Sequence, residues 1–395
     1  MTTLNLQADA EFQGAEGGDA LDKLASNLLL LGIRGRIQRV DISRKGELTV
    51  RVTTDGQQRW LQIDPQLCGF PVQLNDLGLV TELKASRDSK LPLSRLLSAE
   101  GSGAGLTVLS YIPHRRLVLL DGRDCETRVL KGYRGRTGSE KTSNKGERLA
   151  EKYTLATQGD IPNRFFTPGK VHYNPTHHYM SMPFFDGMQF KVADEHVEDF
   201  SVLGQGISKL QGIDDRNVGL SSFTRRAELD VIDERARRMQ LLGFFLPDGW
   251  KTLRQRLEVL CSEIPEAPLV PCHRDLHDGQ LIRSLRGLGL FDFDLFCRAE
   301  PELDPGNFLA HLCLRQLQIP HRISDRSVQV CGRKLLDGLN AYERAAFWSR
   351  LRFYQASTFC RLQLVYALRP RWVSITSALG RLGHRCLDDL QHEAE

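Results

Sequence analysis

The chain has 395 residues, 41% hydrophobic and 26% charged, which is typical of a globular protein with more than one packed unit. Its formal net charge of +4 gives little electrostatic reason to expect a nucleic-acid partner. Apolar runs such as the leucines at 28–31 are far shorter than the roughly 20 residues of a membrane-spanning helix, so no membrane segment is predicted.

The first residues, MTTLNLQADAEFQG, lack the basic region and the apolar core of a secretory signal. The nine cysteines include no CxxC pair, and their odd number argues against a complete disulfide framework. We therefore expect a cytoplasmic protein with reduced, mostly buried thiols.

The N-terminal part of the chain predicts a small α+β unit. Leucines recur at helical spacing in DALDKLASNLLLLG. The alternating runs GELTVRV and RWLQI, joined by TTDGQ, predict a β-hairpin. A Ser- and Gly-rich connector follows, and we place the first domain boundary within it, after residue 92.

The next part predicts a second sheet. LTVLSYIP, RRLVLLD and ETRVLKGYR form three strand-like runs suited to an antiparallel meander, followed by a helix from about Ser143 to Gln158. KVHYNPTHHYMSMPFFDG adds two more strand-like pieces, and helical periodicity dominates beyond it. The predicted domains are an accessory unit at 1–92, a sheet-containing lobe at 93–187 and a helical lobe at 188–395.

One turn-rich stretch within the helical part carries groups suited to phosphoryl transfer. In PCHRDLHDGQLI, Asp275 is followed five positions later by the amide of Gln280, and the apolar run LGLFDFDLF places Asp292 beyond a predicted hairpin. Phosphoryl transfer needs a carboxylate to orient a hydroxyl and oxygen ligands for Mg²⁺, and this stretch supplies both. His273 and His277 lack a third ligand, so no zinc site is predicted.

These motifs resemble the catalytic and metal loops of the protein-kinase-like fold, within it those of the aminoglycoside phosphotransferase and choline kinase superfamily of small-molecule kinases. The resemblance implies an α+β, two-lobed fold with an antiparallel-sheet N-lobe and a mainly helical C-lobe. It also implies that Asp275 is the catalytic base, that Gln280 and Asp292 bind Mg²⁺, that His273 braces the catalytic loop and that Asp304 supports this loop from below.

The resemblance extends upstream, to roughly residues 105–375 in all. Lys131, on the third strand-like run, lies where the superfamily has its phosphate-pairing lysine. Glu147 lies where the acid that pairs with this lysine is expected, with Glu151 as its rival. MSMPFFDG resembles the hinge between lobes, where backbone groups around Met182 and Phe184 would bind adenine.

Two departures from the pattern bear on function. Gln280 replaces the commoner Asn, which shifts the amide oxygen and alters the expected metal geometry. Asp294 stands where protein kinases place glycine, and only 12 positions (304 − 292) separate Asp292 from Asp304. So short a segment has no room for a long activation loop, which favours a small-molecule kinase over a protein kinase.

The sequence thus predicts an ATP- and Mg²⁺-dependent phosphotransferase that acts on a hydroxyl of a small molecule of aminoglycoside, sugar or amino-alcohol type. The alternative hypothesis is a nucleotide-binding pseudokinase that acts as a scaffold or regulator, motivated by Gln280 and by the unassigned N-terminal unit. Neither hypothesis involves a nucleic-acid or membrane partner. The acceptor itself does not follow from the sequence.

Overall fold

The protein is represented by a computed structural model. The structure describes residues 18–31, 33, 35–43, 46–68, 80–98, 105–134, 143–193, 196–339 and 346–393. No helix in these ranges is both long and apolar enough to cross a membrane.

The helices are α1 (Gly18–Leu30), α2 (Arg95–Ser98), α3 (Ser143–Ala156), α4 (Val197–Gln211), α5 (Arg225–Leu241), α6 (Trp250–Glu263), α7 (Leu303–Gln318), α8 (Asp325–Leu339), α9 (Phe347–Ala367) and α10 (Thr376–Glu393). The strands are β1 (Arg36–Ile42), β2 (Leu48–Thr54), β3 (Gln57–Ile63), β4 (Val80–Leu83), β5 (Leu106–Ile112), β6 (Arg116–Asp121), β7 (Arg128–Tyr133), β8 (Phe165–Phe166), β9 (His172–Asn174), β10 (Tyr179–Pro183), β11 (Met188–Gln189), β12 (Val270–Cys272), β13 (Leu281–Ser284), β14 (Gly287–Leu290) and β15 (Cys297–Ala299).

Contacts divide the chain into two compact units. Unit 1 contains Met1–Lys84, Arg226–Leu260 and Ala356–Asp389, and unit 2 contains Ala85–Arg225, Cys261–Gln355 and Leu390–Glu395. This grouping by contacts is a different partition from the three domains expected from the sequence, at 1–92, 93–187 and 188–395, which stay a prediction.

Unit 1 contains a four-stranded antiparallel sheet in the order β1-β2-β3-β4. The β2–β3 hairpin turns at Asp55 and Gly56, whose φ angles of 51° and 76° give the positive-φ pair that tight hairpins favour. The hairpin predicted from TTDGQ is therefore confirmed. The leucine stripe of α1 is also confirmed as an inward face, since Leu24 and Leu28 are buried.

The N-terminal part of unit 2 is a five-stranded antiparallel sheet in the order β5-β6-β7-β10-β9. The first three strands form the predicted meander, and the last two are the two strand-like pieces predicted in KVHYNPTHHYMSMPFFDG. Leu117, Leu119 and Leu130 fill one face of this sheet together with Leu91 and Leu93. The helix expected after the third strand is α3.

The helical part of unit 2 is organised by the close packing of α4 on α8. A Cβ atom at Gly204 would lie 2.2 Å from the Leu335 carbonyl oxygen, and one at Gly338 would lie 2.2 Å from that of Ser201. Glycine at both positions lets the two backbones approach. The core beneath this crossing includes Phe200 and Leu335, both fully buried, and it continues into the loops that follow β12 and β14.

Candidate active site

The segment after β12 forms a loop that is supported from beneath by α7. Asp304, in the first turn of α7, accepts hydrogen bonds from the backbone N–H groups of His273 and Arg274, each 2.7 Å long. Burial raises the pKa of Asp304, although His273 and the two N–H donors oppose this shift. Arg274 has a left-handed φ of 72°, and Asp275 follows it. The loop that carries Asp275 is thus fixed by its backbone.

A second set of bonds joins this loop to the segment after β14. The His273 ring, fully buried, lies with Nε2 2.8 Å from the carbonyl oxygen of Phe291, and the N–H of Phe291 donates to the Gln280 carbonyl at 2.9 Å. Since Phe291 directly precedes Asp292, the two loops are tied together at the residue next to the second carboxylate. These contacts support the structural roles suggested for His273 and Asp304.

The side chains of Asp275 and Gln280 lie beside each other. Gln280 Nε2 is 3.5 Å from Asp275 Oδ2 and 3.4 Å from His277 Nε2, both at the outer limit of a hydrogen bond. The amide nitrogen is directed at the carboxylate, and the carbonyl oxygen is the part of Gln280 suited to a cation.

Asp292 lies between two cationic groups from the five-stranded sheet. Lys131 Nζ of β7 is 2.5 Å from Asp292 Oδ1, and Arg116 Nη1 of β6 is 2.9 Å from Oδ2. Burial alone would raise the pKa of Asp292, but Lys131 and Arg116 more than offset it, and the pKa lies well below its usual range. Asp292 has a left-handed φ of 69°, a conformation uncommon outside glycine.

Asp294 accepts hydrogen bonds from three side chains. Lys131 Nζ lies 2.7 Å, the Tyr133 hydroxyl 2.9 Å and the Tyr153 hydroxyl 2.7 Å from Asp294 Oδ1. Lys131 also donates to the Tyr153 hydroxyl at 3.1 Å. Burial raises the pKa of both tyrosines, and the Asp294 charge raises it further, so both stay protonated donors. Lys131 is therefore held by Asp292, Asp294 and Tyr153 together.

Among the described residues, the hydrogen bonds of the Lys131 ammonium group go to Tyr153, Asp292 and Asp294, whereas Glu147 was expected as its partner. Glu147 is exposed on α3 and, with Glu151 and Tyr173, lines a surface cavity of ≈ 480 Å³. Tyr153, the α3 residue that does reach Lys131, lies six positions after Glu147, about 240° further around the helix. The pairing of Lys131 with Glu147 and the role of Glu147 in nucleotide binding stay predictions.

The suggested hinge, MSMPFFDG, begins within β10 and continues beyond the end of this strand. Met182 is buried and pairs with Val129 of β7, and the N–H of Phe184 donates to the Thr127 carbonyl at 3.1 Å. Because alternate residues of an antiparallel strand face the same neighbour, the backbone groups of Met182 also face β7. Adenine binding by the Phe184 N–H would require this bond to break, and the expectation for Phe184 stays a prediction. The wider hinge assignment stays a prediction.

Another polar group lies beside the catalytic loop. His277, Asp278 and His311 place potential ligand atoms within 4.8 Å of one another. Nδ1 of His277 already accepts from the Gly279 N–H at 3.0 Å, the two imidazole rings are stacked, and Asp278 forms an ion pair with Arg315. His277 Nδ1 and the Asp278 carboxylate are therefore already engaged by groups of the protein, and the three side chains do not converge on one point as metal ligands would.

One protein-family model matches part of this chain. Residues 154–348, which include the catalytic loop, Asp292 and Asp304, match the model of the phosphotransferase enzyme family known as APH. The match covers just under half of the chain, and over these residues the chain is similar to that family. No curated protein shows significant similarity to the chain.

Several solved structures resemble this chain in fold. An amicoumacin kinase in complex with AMP-PNP and Ca²⁺ has a TM-score of 0.50 at 14% identity, covering 72% of this chain and 89% of its own. A choline kinase from Cryptosporidium parvum Iowa II has a TM-score of 0.50 at 8% identity, covering 73% and 90%. A choline/ethanolamine kinase family protein from Mesorhizobium loti gives 0.49 at 17% identity, covering 74% and 92%. The kinase-like fold is confirmed.

The sequence did not identify three residues that contact the predicted site of the phosphotransferase. Arg116 and Tyr153 are not among the residues predicted from the sequence, and Asp294 appears there only as a departure from protein kinases. Tyr153 carried a usable signal, because it follows Leu149 by four positions and so lies on the apolar stripe of α3. A hydroxyl on an inward-facing stripe requires a polar partner inside the fold.

Proposed function

We propose that the chain is an ATP- and Mg²⁺-dependent phosphotransferase that acts on a hydroxyl group of a small molecule, of aminoglycoside, sugar or amino-alcohol type. The observation that carries this proposal is the double tie of Phe291, which links the loop of Asp275 and Gln280 to Asp292, itself ion-paired to Lys131. The similarity of residues 154–348 to the phosphotransferase enzyme family supports phosphoryl transfer.

In this proposal Asp275 orients the acceptor hydroxyl and takes its proton during attack on the γ-phosphate. A carboxylate suits this task because it accepts a hydrogen bond from the hydroxyl in the ground state. The fixed backbone of the loop supports it, since Asp304 and Asn307 of α7 bind its N–H and C=O groups. The chain thereby positions the base before substrate arrives.

Asp292 and Gln280 fit a magnesium ion by the chemistry of their donors. Both offer hard oxygen atoms, and the low pKa of Asp292 keeps its carboxylate ionised at neutral pH. A Mg²⁺ ion held by these two residues would neutralise part of the phosphate charge. Arg116 and Lys131 add two positive charges beside this position, suited to the phosphates of ATP. An amicoumacin kinase of similar fold was solved with AMP-PNP and Ca²⁺, and this supports a nucleotide and a divalent cation here.

The adenine would bind the side of β10 that faces away from β7. Strand alternation turns the Pro183 carbonyl and the Phe185 N–H to that side, and the ladder with β9 ends at Ser181. One acceptor and one donor two residues apart suit the two adjacent polar edges of adenine. Lys131 then lies in the neighbouring strand β7 of the same sheet.

The compact run between Asp292 and Asp304 argues against a protein substrate. Its middle forms β15, which pairs antiparallel with β12, so it is short and folded against the strand that leads into the catalytic loop. No observation favours the pseudokinase hypothesis. The expectations of a cytoplasmic protein without a nucleic-acid partner stay predictions.

The test is ADP release by the full chain over a panel of hydroxylated metabolites and antibiotics, with ATP and Mg²⁺. We expect Asp275→Asn to lower the rate on any accepted substrate by a factor of 10² to 10⁴ while ATP still raises the melting temperature. Asp230→Asn, an exposed change on α5, is the matched control and should keep the wild-type rate. An Asp275→Asn protein as active as wild type would refute the role of the base.

The same experiment separates the enzyme from a scaffold. Stabilisation by ATP that requires Mg²⁺, together with turnover of a panel member, is the expected result. A metal-independent thermal shift with no ADP release across the panel would instead favour a nucleotide-binding scaffold.

A further inference from the structure

Three arginines of unit 1 lie together beside the edge strand β1, and we call Arg39, Arg51 and Arg369 the arginine cluster. Arg39 and Arg51 are directly opposite each other in the β1–β2 ladder. The Val40 N–H donates to the Leu368 carbonyl at 3.0 Å, which brings Arg369, the next residue, alongside β1.

Among the residues that the structure describes, one ion pair to a carboxylate is seen in the arginine cluster. Asp41 accepts from Arg39 at 2.7 Å, so three guanidinium groups and this one carboxylate leave a formal charge of 3 − 1 = +2. Like charges directly opposite each other in a sheet are destabilising. Burial lowers the pKa of Arg51 and of Arg369, and the neighbouring arginines lower both further.

Aromatic rings fix the orientation of two of these guanidinium groups. Arg51 lies over the Trp60 ring at 5.8 Å from its centroid, and Arg369 lies over the Tyr366 ring at 4.6 Å. A guanidinium held over a ring keeps its N–H donors available at its edges. Nε of Arg51 is buried and has no hydrogen-bond partner among the residues that the structure describes.

We propose that the arginine cluster is a binding site for a phosphate group. The forked N–H donors of arginine match the geometry of phosphate oxygens, and a dianion would offset the two excess charges. It would also supply an acceptor for Arg51 Nε. The site lies within unit 1 and shares no residue with the candidate active site, so it is independent of the proposed phosphotransferase function.

Isothermal titration of the full chain with inorganic phosphate, at constant ionic strength set with chloride, tests the proposal. We expect Arg51→Gln and Arg369→Gln each to weaken binding at least tenfold. Arg59→Gln removes the same charge from an exposed position of β3 and should bind as wild type does. Equal affinity in all four proteins would overturn the proposal.

Melting temperatures without phosphate distinguish a binding role from a structural one. If the cluster is a site, Arg51→Gln should melt at or above the wild-type temperature, because it relieves like-charge repulsion, and it should lose the stabilisation that phosphate gives. A lower melting temperature with an unchanged phosphate shift would contradict the proposal. Glycerol phosphate as a second titrant separates a phosphate monoester from free phosphate by relative affinity. Acetate acting as strongly as phosphate would indicate an adventitious ion only.

Discussion

Lys131 Nζ lies 2.5 Å from Asp292 Oδ1, an ion pair that joins the third strand of the five-stranded sheet to the residue that follows the β13–β14 hairpin. The partners are 161 positions apart in the chain. Asp294 extends the contact, since its carboxylate binds the same ammonium group and two tyrosine hydroxyls. The lysine is thus positioned by the segment that follows β14 and by Tyr153 of α3.

This arrangement predicts that Asp294, and not Glu147, positions the ammonium group of Lys131 for nucleotide binding. We expect Asp294→Asn to raise KM for ATP about tenfold, and to lower the free energy of unfolding by about 1–3 kcal/mol through loss of charged hydrogen bonds. Steady-state ADP release and denaturant unfolding measure the two effects. Glu147→Gln is the matched control, and a larger change in KM for that variant would contradict the prediction.

Gln280 should set the magnesium requirement. Removing its amide in Gln280→Ala should shift the half-activating Mg²⁺ concentration upward by about 10-fold or more, because a ligand oxygen is lost. A Mg²⁺ titration of ADP release at saturating ATP gives this value. Gln189→Ala, at an exposed position of β11, serves as the control. An unchanged Mg²⁺ curve for Gln280→Ala would remove Gln280 from the set of metal ligands.

Asp88 should make stability depend on acid pH. Burial alone would raise its pKa, but the His114 N–H at 2.7 Å, the His114 ring and the Tyr111 hydroxyl lower it below the usual value. A lowered folded-state pKa gives stability that is present above the unfolded pKa of about 3.9 and is lost as pH falls through the folded pKa.

Asp88→Asn should therefore be less stable by about 1–3 kcal/mol at pH 7 and should lose less stability than wild type below pH about 4. Melting curves from pH 3 to pH 7 compare the two proteins, with the exposed Asp124→Asn as the control. Parallel pH curves for wild type and Asp88→Asn would show that Asp88 does not carry this dependence.

The close contact between α4 and α8 should not tolerate a methyl group added at Gly204. Gly204→Ala places a Cβ 2.2 Å from the Leu335 carbonyl oxygen, so we expect a loss of about 3 kcal/mol or more in the free energy of unfolding. Gly212, at the end of α4, has its nearest neighbouring atom at 3.6 Å and an ordinary negative φ. Gly212→Ala should be neutral or slightly stabilising in the same denaturant titration.

Local patterns were sufficient to predict much of the fold. Alternation and turn residues predicted β2, β3 and the strands of the five-stranded sheet, because these signals act within a few residues of each other. Order along the chain also placed Asp275, Gln280 and Asp292 near one another, and their loops do meet at Phe291.

Contacts that depend on helix phase and on distant partners were not predictable in this way. Glu147 was selected by its position in the order of elements, but the angular position of Tyr153 decides which side chain of α3 reaches Lys131. Similarly, the sequence does not indicate that the N–H of Phe184 faces the Thr127 carbonyl. Both features require the register of elements in three dimensions, which a single sequence leaves open.

The two bonds made by Phe291 have a consequence for how the protein responds to its ligands. They join the base and the second carboxylate to one shared backbone frame, so neither acid can be repositioned without the other. Lys131 is held by three partners, whereas Arg116 is more exposed and pairs with Asp292 through one described contact, so adjustment to an incoming triphosphate would fall first to Arg116. Rotation of exposed side chains takes picoseconds to nanoseconds, and loop motions are slower. If the loops of Asp275 and Asp292 stay fixed, nucleotide binding would need only side-chain rotation and no slow loop rearrangement.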